Sequence, residues 1–391
     1  MKRIAFRLVA IVSVLLMNIG YAHAETVSPE AAKAKAIEFL KNGASKAPAL
    51  RGMKQAPAVK NVELAYTSVK DGKTCFYVYN NGENGGFVIV GGDDVAKEIL
   101  AYVPEGHFDY DKAPDNVKWW LGEYENEIST AKKFAPQKQQ NTAPRRANTS
   151  VQDLFTDIPD LITTKWDQGY PYNAAIPEIQ HTDGSSIVSP TGCVNTAVAQ
   201  IMNYWKWPTT GEGSYSYTLD YGGLDEWSAG VAEGSYDGLL PATFSADFGN
   251  TTYDWDNMLD DYTVGTPTQA QIDAVSTLMY HVGVSEETLY GPRSSGGGSS
   301  RMMPALKNNF KYSDRMSCLE RGNYLDDEWE EIIYSELSAG RPVYYEGLSP
   351  ASMDVGHAYI IHGYSSDLSM FSVNWGWGGF MDGYWKITGT E

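Results

Sequence analysis

One cysteine lies where the sequence predicts the start of an amphipathic helix. Cys193 follows Pro190 and Gly192, which signal a turn, and Thr191 is a candidate cap for the helix. A thiol in the first helical turn lies at the positive end of the helix dipole, which lowers its pKa from about 8.5 to about 3.5–7.5 when a cation is also near. Cys193 is therefore a candidate thiolate nucleophile, and the alternative is a small core residue without a chemical role.

A thiolate nucleophile needs an imidazole partner, and four histidines follow residue 150. His281 falls in a predicted helix and His181 in a polar loop, so we interpret the first as a packing residue and the second as solvated. His357 and His362 lie on one predicted strand at an odd spacing, so only one of them can face Cys193. His357 follows a glycine and a loop, where a side chain can face a cleft, and this position favours it.

Two amide side chains are candidates for supporting such a pair. Asn374 lies on the strand predicted to pair with that of His357, and a neutral amide can orient an imidazole without competing for its proton. Trp375 follows directly and could shield that hydrogen bond from water. For a developing oxyanion, the backbone N–H of Cys193 is one donor, and the side chain of Gln168 is the candidate for the second.

The N-terminus has the pattern of a secretory signal peptide. Residues 1–24 hold a basic start, an apolar run too short to span a bilayer and Ala22-His23-Ala24, which fits the small-x-small cleavage rule. The net charge of −19 argues against nucleic acid and anionic membranes as partners. The other cysteines, Cys75 and Cys318, are interpreted as structural, because three cysteines do not suggest a disulfide scaffold.

Residues 25–128 are predicted to form a small α+β unit. A helix begins with Pro29 at its first position, and a second helix begins at Asp115. Between them, Asp71-Gly72 separates two strand-like runs and predicts a β-hairpin. A third strand is predicted over Gly86–Gly91.

A basic segment separates this unit from the rest of the chain. Residues 129–150 contain no acidic residue and include Arg145-Arg146, so we interpret them as an exposed processing linker. Residues 151–391 form the larger predicted domain, which opens with loops and the Cys193 helix. Its C-terminal part is predicted to be an antiparallel β-meander.

These motifs resemble those of the streptopain family of secreted bacterial cysteine peptidases, and within it the interpain-type proteins. The likeness is carried by Thr-Gly-Cys-Val-Asn-Thr-Ala around Cys193, Val-Gly-His-Ala around His357, Asn-Trp-Gly-Trp-Gly from Asn374 and Trp-Asp-Gln ending at Gln168. Residues 25–147 also resemble the inhibitory propeptide of that family. The resemblance therefore covers nearly the whole chain, with several motifs in the family's order.

The resemblance implies an α+β, papain-like peptidase domain, with a helical part and an antiparallel β-meander, preceded by a small α+β propeptide domain. It implies His357 rather than His362 as the catalytic histidine. It also implies a substrate loop that includes Ser295 and Gly296, and Gly356 on the histidine strand is a further expected substrate-binding residue. The expected partners are protein substrates, with a bulky hydrophobic residue two positions before the cut, and the chain's own propeptide. Neither a metal nor another cofactor is expected.

Two other functions fit the same residues. A Cys-His amidase or transferase acting on cell-wall or glutamine amides would use the same pair, although a propeptide and basic linker favour a peptidase. An aromatic-rich binding module would instead bury Cys193 as an inert residue. A thiol-directed inhibitor distinguishes this last case, because only a thiolate reacts rapidly.

Overall fold

The computed structural model of the chain describes residues 26–44, 58–138, 154–224, 234–297, 299–349 and 352–390. The predicted signal peptide and the Arg145-Arg146 pair lie outside the described residues. Within these described segments, no helix combines the length and apolar character needed to cross a bilayer.

The N-terminal unit contains the predicted helices and hairpin, together with one strand that the sequence did not predict. Helix α1 (Pro29–Glu38) begins after Ser28, whose Oγ accepts a hydrogen bond from the Ala31 N–H. The strands are β1 (Val62–Lys70), β2 (Lys73–Asn81), β3 (Phe87–Gly91) and the unpredicted β4 (Ile99–Val103). Asp71 and Gly72, both with positive φ, turn the chain between β1 and β2, and helix α2 (Asp115–Lys138) follows β4.

Helix α2 continues into the segment predicted to be a linker. Ser129 and Lys132 are buried, and Lys132 Nζ lies 2.9 Å from Asp93 Oδ2 with both side chains 2% exposed. The prediction of an exposed linker beginning at residue 129 is therefore wrong at its start. The basic residue there neutralises a buried carboxylate inside the N-terminal unit instead of remaining in solvent.

The C-terminal unit begins with helix α3 and ends in the predicted meander. Its first elements are β5 (Ile179–Gln180), β6 (Ser186–Ile187), α3 (Cys193–Trp205), β7 (Ser214–Leu219), β8 (Ala242–Asp247) and α4 (Gln269–Ser285). Its later elements are β9 (Leu289–Tyr290), β10 (Ser295–Gly296), α5 (Ser299–Phe310), α6 (Asp326–Ser338), β11 (Val343–Ser349), β12 (Ser352–Ser365), β13 (Met370–Asn374) and β14 (Gly383–Trp385). Strands β11 to β14 pair in succession as antiparallel neighbours, which confirms the meander.

The two units share one antiparallel sheet of eight strands, in the order β1-β2-β3-β4-β14-β13-β12-β11. Strand β4 of the N-terminal unit pairs with β14 of the C-terminal unit, with Tyr102 opposite Tyr384 and Ala101 opposite Trp385. Main-chain hydrogen bonds of this kind satisfy groups that a free strand edge leaves unpaired. The N-terminal unit is therefore joined to the other by backbone pairing as well as by side-chain packing.

Strand β12 separates two apolar cores. Ala358 and Ile360 pack into the core formed with α3 and α4, whereas Tyr359 and Ile361 pack into the core that contains Trp120 of α2. This division follows from strand geometry, because successive side chains point to opposite faces. Helices α3 and α2 therefore lie on opposite faces of β12, and this arrangement determines which site residues can meet.

Candidate active site

Cys193 is the first residue of α3, as predicted, but Gly192 rather than Thr191 occupies the cap position. Gly192 has a φ of 93°, and a Cβ there would lie 2.6 Å from the main-chain oxygen of Ser295. The Thr191 hydroxyl lies 2.9 Å from that of Thr196, so the prediction of a threonine cap is wrong. The glycine lets the turn before Cys193 lie directly against strand β10.

The Cys193 sulfur lies half-buried between α3 and β12. The main-chain N–H of Ala358 donates to Sγ at 3.4 Å. Burial raises the pKa of this thiol, the N–H groups of Ala358 and of the helix start offset part of the rise, and the charge of Glu286 adds to it. The lowered pKa predicted from the sequence requires a nearby cation, and in the intact chain desolvation opposes the effect of the helix terminus.

The predicted histidine partner points away from this sulfur. His357 and Tyr359 lie on the same face of β12, where the rings of Tyr359 and Trp120 are 5.6 Å apart. Burial lowers the pKa of His357, and the carboxylate of Asp115 at the start of α2 opposes that shift. The hydrogen bond described at the Cys193 sulfur comes from a main-chain N–H and not from this imidazole. In the intact chain, the two residues therefore face opposite sides of β12.

Asn374, the predicted orienting amide, makes its hydrogen bonds within a different network. Strand β13 pairs with β12 as predicted, but the register places Asn374 opposite Ile360 rather than His357. Its Nδ2 donates to the Thr164 carbonyl at 2.9 Å, and its amide group pairs with that of Gln200 at 3.2 Å. Asn374 is therefore held toward α3 in the intact chain, and not toward the imidazole.

Gln200 is a site residue that the sequence analysis missed. Its side chain is fully buried on α3 and accepts a hydrogen bond from the Thr164 hydroxyl at 2.7 Å, besides pairing with Asn374. Gln200 lies beside, and not within, the apolar series Val194, Ala197, Val198 and Ile201 of that helix, so the sequence gives no signal for its burial or for its partners.

The turn that follows β13, here called the Asn-Trp turn (residues 374–378), is contacted by α2 from the face of the sheet opposite α3. Trp375 is fully buried, and its ring lies 4.7 Å from that of Tyr359. Asn116 donates to the Trp375 carbonyl at 2.9 Å and accepts from the Trp377 indole N–H at 3.1 Å. Asn116 is itself fully buried, so the N-terminal unit reaches into the turn that the sequence assigned to the active site.

Trp119 of α2 covers the strand next to His357. Gly347 of β11 lies opposite His357 in the ladder, and a Cβ on Gly347 would lie 1.9 Å from the Trp119 ring. Because a side chain at position 347 would collide with the indole, the close approach of α2 depends on this glycine. The sequence predicted the helix but not this contact.

Gln168 and strand β10 both contact the turn that precedes Cys193. The Gln168 carbonyl accepts from the Thr191 N–H at 2.9 Å. Its side chain is 6% exposed, and its Nε2 has no hydrogen-bond partner among the described residues. Ser295 donates from Oγ to the Pro190 carbonyl at 2.6 Å, which ties β10 to the same turn. Gly356 lies on β12 directly before the histidine.

The remaining histidines of the C-terminal unit are held by neighbouring groups. His181, interpreted as solvated, is only 28% exposed, and its Nε2 lies 2.8 Å from the Asp237 carbonyl oxygen. His281 Nδ1 lies 3.0 Å from the Tyr253 hydroxyl, and burial lowers the pKa of His281 to about 4, which confirms its interpretation as a packing residue. His362 is buried with Nε2 3.4 Å from Ser372 Oγ, and burial lowers its pKa. Across the described part of the chain, no group of three or more His, Cys, Asp or Glu side chains is arranged to hold a metal ion.

The fold and the helix-start cysteine define a cysteine peptidase that is preceded by an inhibitor-like domain. The chain belongs to the peptidase C10 family, whose family model matches residues 166–385. Residues 24–128 match the family described as Spi protease inhibitor. The two matches correspond to the two structural units, and they confirm the resemblance inferred from the sequence motifs.

Relatives and solved structures agree with this assignment. Streptopain of Streptococcus pyogenes serotype M1 is 34% identical over 362 residues, which cover 91% of this chain and 83% of streptopain. The thiol protease/hemagglutinin PrtT of Porphyromonas gingivalis is 32% identical over 391 residues, and the matched region is 98% of this chain but only 41% of PrtT. A fragment of Prevotella intermedia prointerpain A is 34% identical, with a TM-score of 0.62 over 84% of this chain and 92% of the fragment. Active interpain A is 38% identical, with a TM-score of 0.50 over 63% of this chain and 91% of that structure.

Proposed function

We propose that this chain is the precursor of a secreted cysteine endopeptidase that becomes active when its N-terminal unit is removed. The observation that carries the proposal is the 3.4 Å contact from the Ala358 N–H to Cys193 Sγ, which brings the neighbour of His357 to the sulfur. The imidazole lies on the opposite face of β12, so forming the catalytic pair requires the backbone around Gly356 and His357 to rearrange, while α3 keeps its contact with Ala358. Asn116 and Trp119 support the same proposal, because they occupy the face toward which His357 points.

In the proposed reaction, His357 takes the thiol proton of Cys193, and the thiolate attacks the scissile carbonyl. The Cys193 N–H and the side-chain amide of Gln168 donate to the oxyanion, a role supported by the unpartnered Nε2 of Gln168. The imidazolium then protonates the leaving amine, and water hydrolyses the thioester. Asn374 orients His357 in this state, which requires it to leave its amide pair with Gln200.

Activation also changes the charge state of the nucleophile. In the intact chain, burial raises the pKa of Cys193. An imidazolium at His357, once it faces the sulfur, would stabilise the thiolate and lower that pKa. Release of α2 is therefore proposed to assemble the pair and to ionise the thiol in a single step.

Protein chains are the proposed substrates, with a bulky hydrophobic residue two positions before the scissile bond. Membership in the family of streptopain supports this preference. Ser295, Gly296 and Gly356 are proposed to bind the substrate main chain, because β10 contacts the cysteine turn and Gly356 directly precedes His357. Export through the signal peptide of residues 1–24 completes the proposal.

Replacing the nucleophile tests this function. Full-length wild-type chain and Cys193→Ala are incubated side by side, with the N-terminal sequence and casein hydrolysis measured over time. We expect the wild type to lose its N-terminal unit and cleave casein, and the variant to fold but do neither. Cys318→Ala is the matched control, because it removes an exposed cysteine to which no catalytic role is assigned. Undiminished casein hydrolysis by Cys193→Ala would reject the proposal.

A further inference from the structure

A carboxylate on β11 lies near the nucleophile and has no part in the proposed reaction. Glu346 is opposite Ala358 in the ladder, and the Ala358 N–H is the group that contacts Cys193 Sγ. Tyr344, two residues earlier on the same face, donates its hydroxyl to Glu346 Oε2 at 2.7 Å. Both side chains are only partly buried, and they lie on the same face of the sheet as Ala358, the face that α3 covers.

A second carboxyl group lies behind this position at the end of α4. Glu286 is 1% exposed, and its Oε1 accepts from the Thr288 hydroxyl at 2.9 Å. Its Oε2 has no hydrogen-bond partner among the described residues. A Cβ on Gly297 would lie 2.0 Å from Oε1 and 2.5 Å from Oε2, so the carboxyl group packs directly against the segment that follows Ser295 and Gly296.

The two carboxyl groups act on each other and on the site. Burial raises the pKa of Glu286 to about 8, and the charge of Glu346 adds to that rise. Arg301 lies near enough to oppose the shift, but its ion pair is with Glu287. Neither Glu286 nor Glu346 has an ion pair within the described residues, and the raised pKa keeps Glu286 mostly protonated at pH 7.

We propose that Glu346, with Tyr344 beside it and Glu286 behind it, forms a subsite that takes an arginine or lysine side chain of the substrate. The aliphatic stem would pack on the Tyr344 ring, and the cationic end would bind the Glu346 carboxylate. Glu286 is buried and mostly protonated at pH 7, so it would back the subsite with a polar group and leave the cation to Glu346. This inference rests on the proposed peptidase function and adds a basic residue to the side chains that the enzyme selects.

The test compares how efficiently each enzyme cleaves peptides that differ at one position, so that a general loss of activity does not affect the result. Processed wild type and processed Glu346→Gln are given fluorogenic peptides in which one non-prime position at a time carries Arg, Lys, Leu or Glu. We expect one position at which the wild type cleaves the Arg and Lys peptides efficiently. At that position, the ratio of kcat/KM for Arg to that for Leu should fall at least about tenfold in Glu346→Gln, because a charge-assisted hydrogen bond is lost.

Two further variants keep the result decisive. Glu331→Gln, at an exposed position on α6, should keep the wild-type ratio. Glu346→Lys should reverse the preference at that position toward the Glu peptide. Equal loss on all peptides in Glu346→Gln, or a wild type with no position that takes a basic residue, would overturn the inference while casein hydrolysis still supports the peptidase. Absence of casein hydrolysis would instead reject the peptidase function itself.

Discussion

The indole of Trp119 fills the space that a side chain on Gly347 would need. A Cβ at Gly347 would lie 1.9 Å from the ring, and Gly347 is the cross-strand partner of His357. The two residues belong to different units of the chain, since Trp119 lies on α2 and Gly347 on β11. The inhibitor-like unit therefore packs on β11, directly beside the histidine, at a residue that presents only backbone to it.

Gly347→Ala should shorten the lag before the full-length chain becomes active. The added methyl group must displace Trp119, and overpacking of this kind costs about 1–3 kcal/mol. That cost falls on the intact chain, because the processed enzyme no longer contains α2. Progress curves of casein hydrolysis, started from freshly purified precursor, measure the lag and the final rate separately.

Two comparisons isolate the Trp119 contact as the cause. Gly322→Ala adds a methyl group where no atom lies within 4 Å, so its lag should equal that of wild type. In the Trp119→Ala background, Gly347→Ala should cause no further shortening, because the obstacle is gone. A wild-type lag in the Gly347→Ala single variant would contradict this explanation.

Asn116→Ala should destabilise the intact chain through the Asn-Trp turn. The change removes the hydrogen bonds to the Trp375 carbonyl and from the Trp377 indole, and leaves the Trp375 carbonyl without this partner. We expect a loss of about 1–3 kcal/mol in the free energy of unfolding. Urea denaturation in the Cys193→Ala background measures it without self-digestion. Asn323→Ala, at an exposed position, is the control, and an equal loss in both variants would count against a specific role for Asn116.

Local sequence signals predicted most elements of the fold. Helix α1 has Ser28 as its cap and Pro29 at its first position, and the β-hairpin has the positive-φ pair Asp71 and Gly72. These signals depend only on neighbouring residues. The pairing of β4 with β14 depends on residues far apart in the chain, so no local pattern predicts that both units share one sheet. The burial of Lys132 against Asp93 is missed for the same reason.

In the candidate site too, local sequence predicts some features, and contacts between distant residues determine the others. Residue chemistry and spacing identified Cys193, and the family resemblance selected His357, but the direction of the imidazole depends on which unit packs on each face of β12. The register that places Asn374 opposite Ile360 likewise depends on a shift between Ile361 and Gly363 in the β12–β13 pairing, which the sequence does not reveal. The sequence therefore predicts which residues take part, whereas their arrangement in the precursor comes from tertiary packing.

Cys193 should react slowly with iodoacetamide in the intact chain and rapidly after processing. Burial raises the pKa of the thiol in the intact chain, so the thiolate fraction is small at pH 7 and increases as the pH rises. Once His357 faces the sulfur, labelling should become fast and nearly constant from about pH 6 to about pH 8. Intact mass in the Cys318→Ser background, which removes the exposed thiol, gives the rate constant at each pH.

A variant without the histidine distinguishes two causes of fast labelling: pairing of Cys193 with His357, and exposure of the sulfur when the N-terminal unit is removed. His357→Ala, processed with a trace of wild-type enzyme, should keep slow labelling that still rises with pH. Fast labelling in this variant would mean that exposure alone activates the thiol. Fast labelling of the intact wild-type precursor at low pH would contradict the raised pKa.

Asp382 should make the stability of the intact chain decrease as the pH rises from about 4 to about 7. Burial raises the pKa of Asp382 from 3.8 to about 7, although its Oδ1 accepts a 2.9 Å hydrogen bond from the Trp375 N–H. Between these values the folded chain keeps a proton that the unfolded chain has released. The contribution is therefore fully present below pH 3.8 and is lost toward pH 7, with a slope of at most about 1.4 kcal/mol per pH unit.

Titration of His281 makes the unfolding free energy increase with pH, which opposes the effect of Asp382. The prediction is therefore made for the difference in unfolding free energy between an Asp382 variant and its parent. Burial lowers the pKa of His281 to about 4, and its contribution to stability rises with pH up to its ordinary value of 6.5. Asp382→Asn keeps an oxygen acceptor for the Trp375 N–H but cannot titrate, while the His281 effect remains. In the Cys193→Ala background, the unfolding free energy of Asp382→Asn minus that of the parent should increase steadily from pH 4 to pH 7, as measured by urea denaturation. A constant difference over this interval would show that the Asp382 carboxyl titrates alike in the folded and unfolded chains.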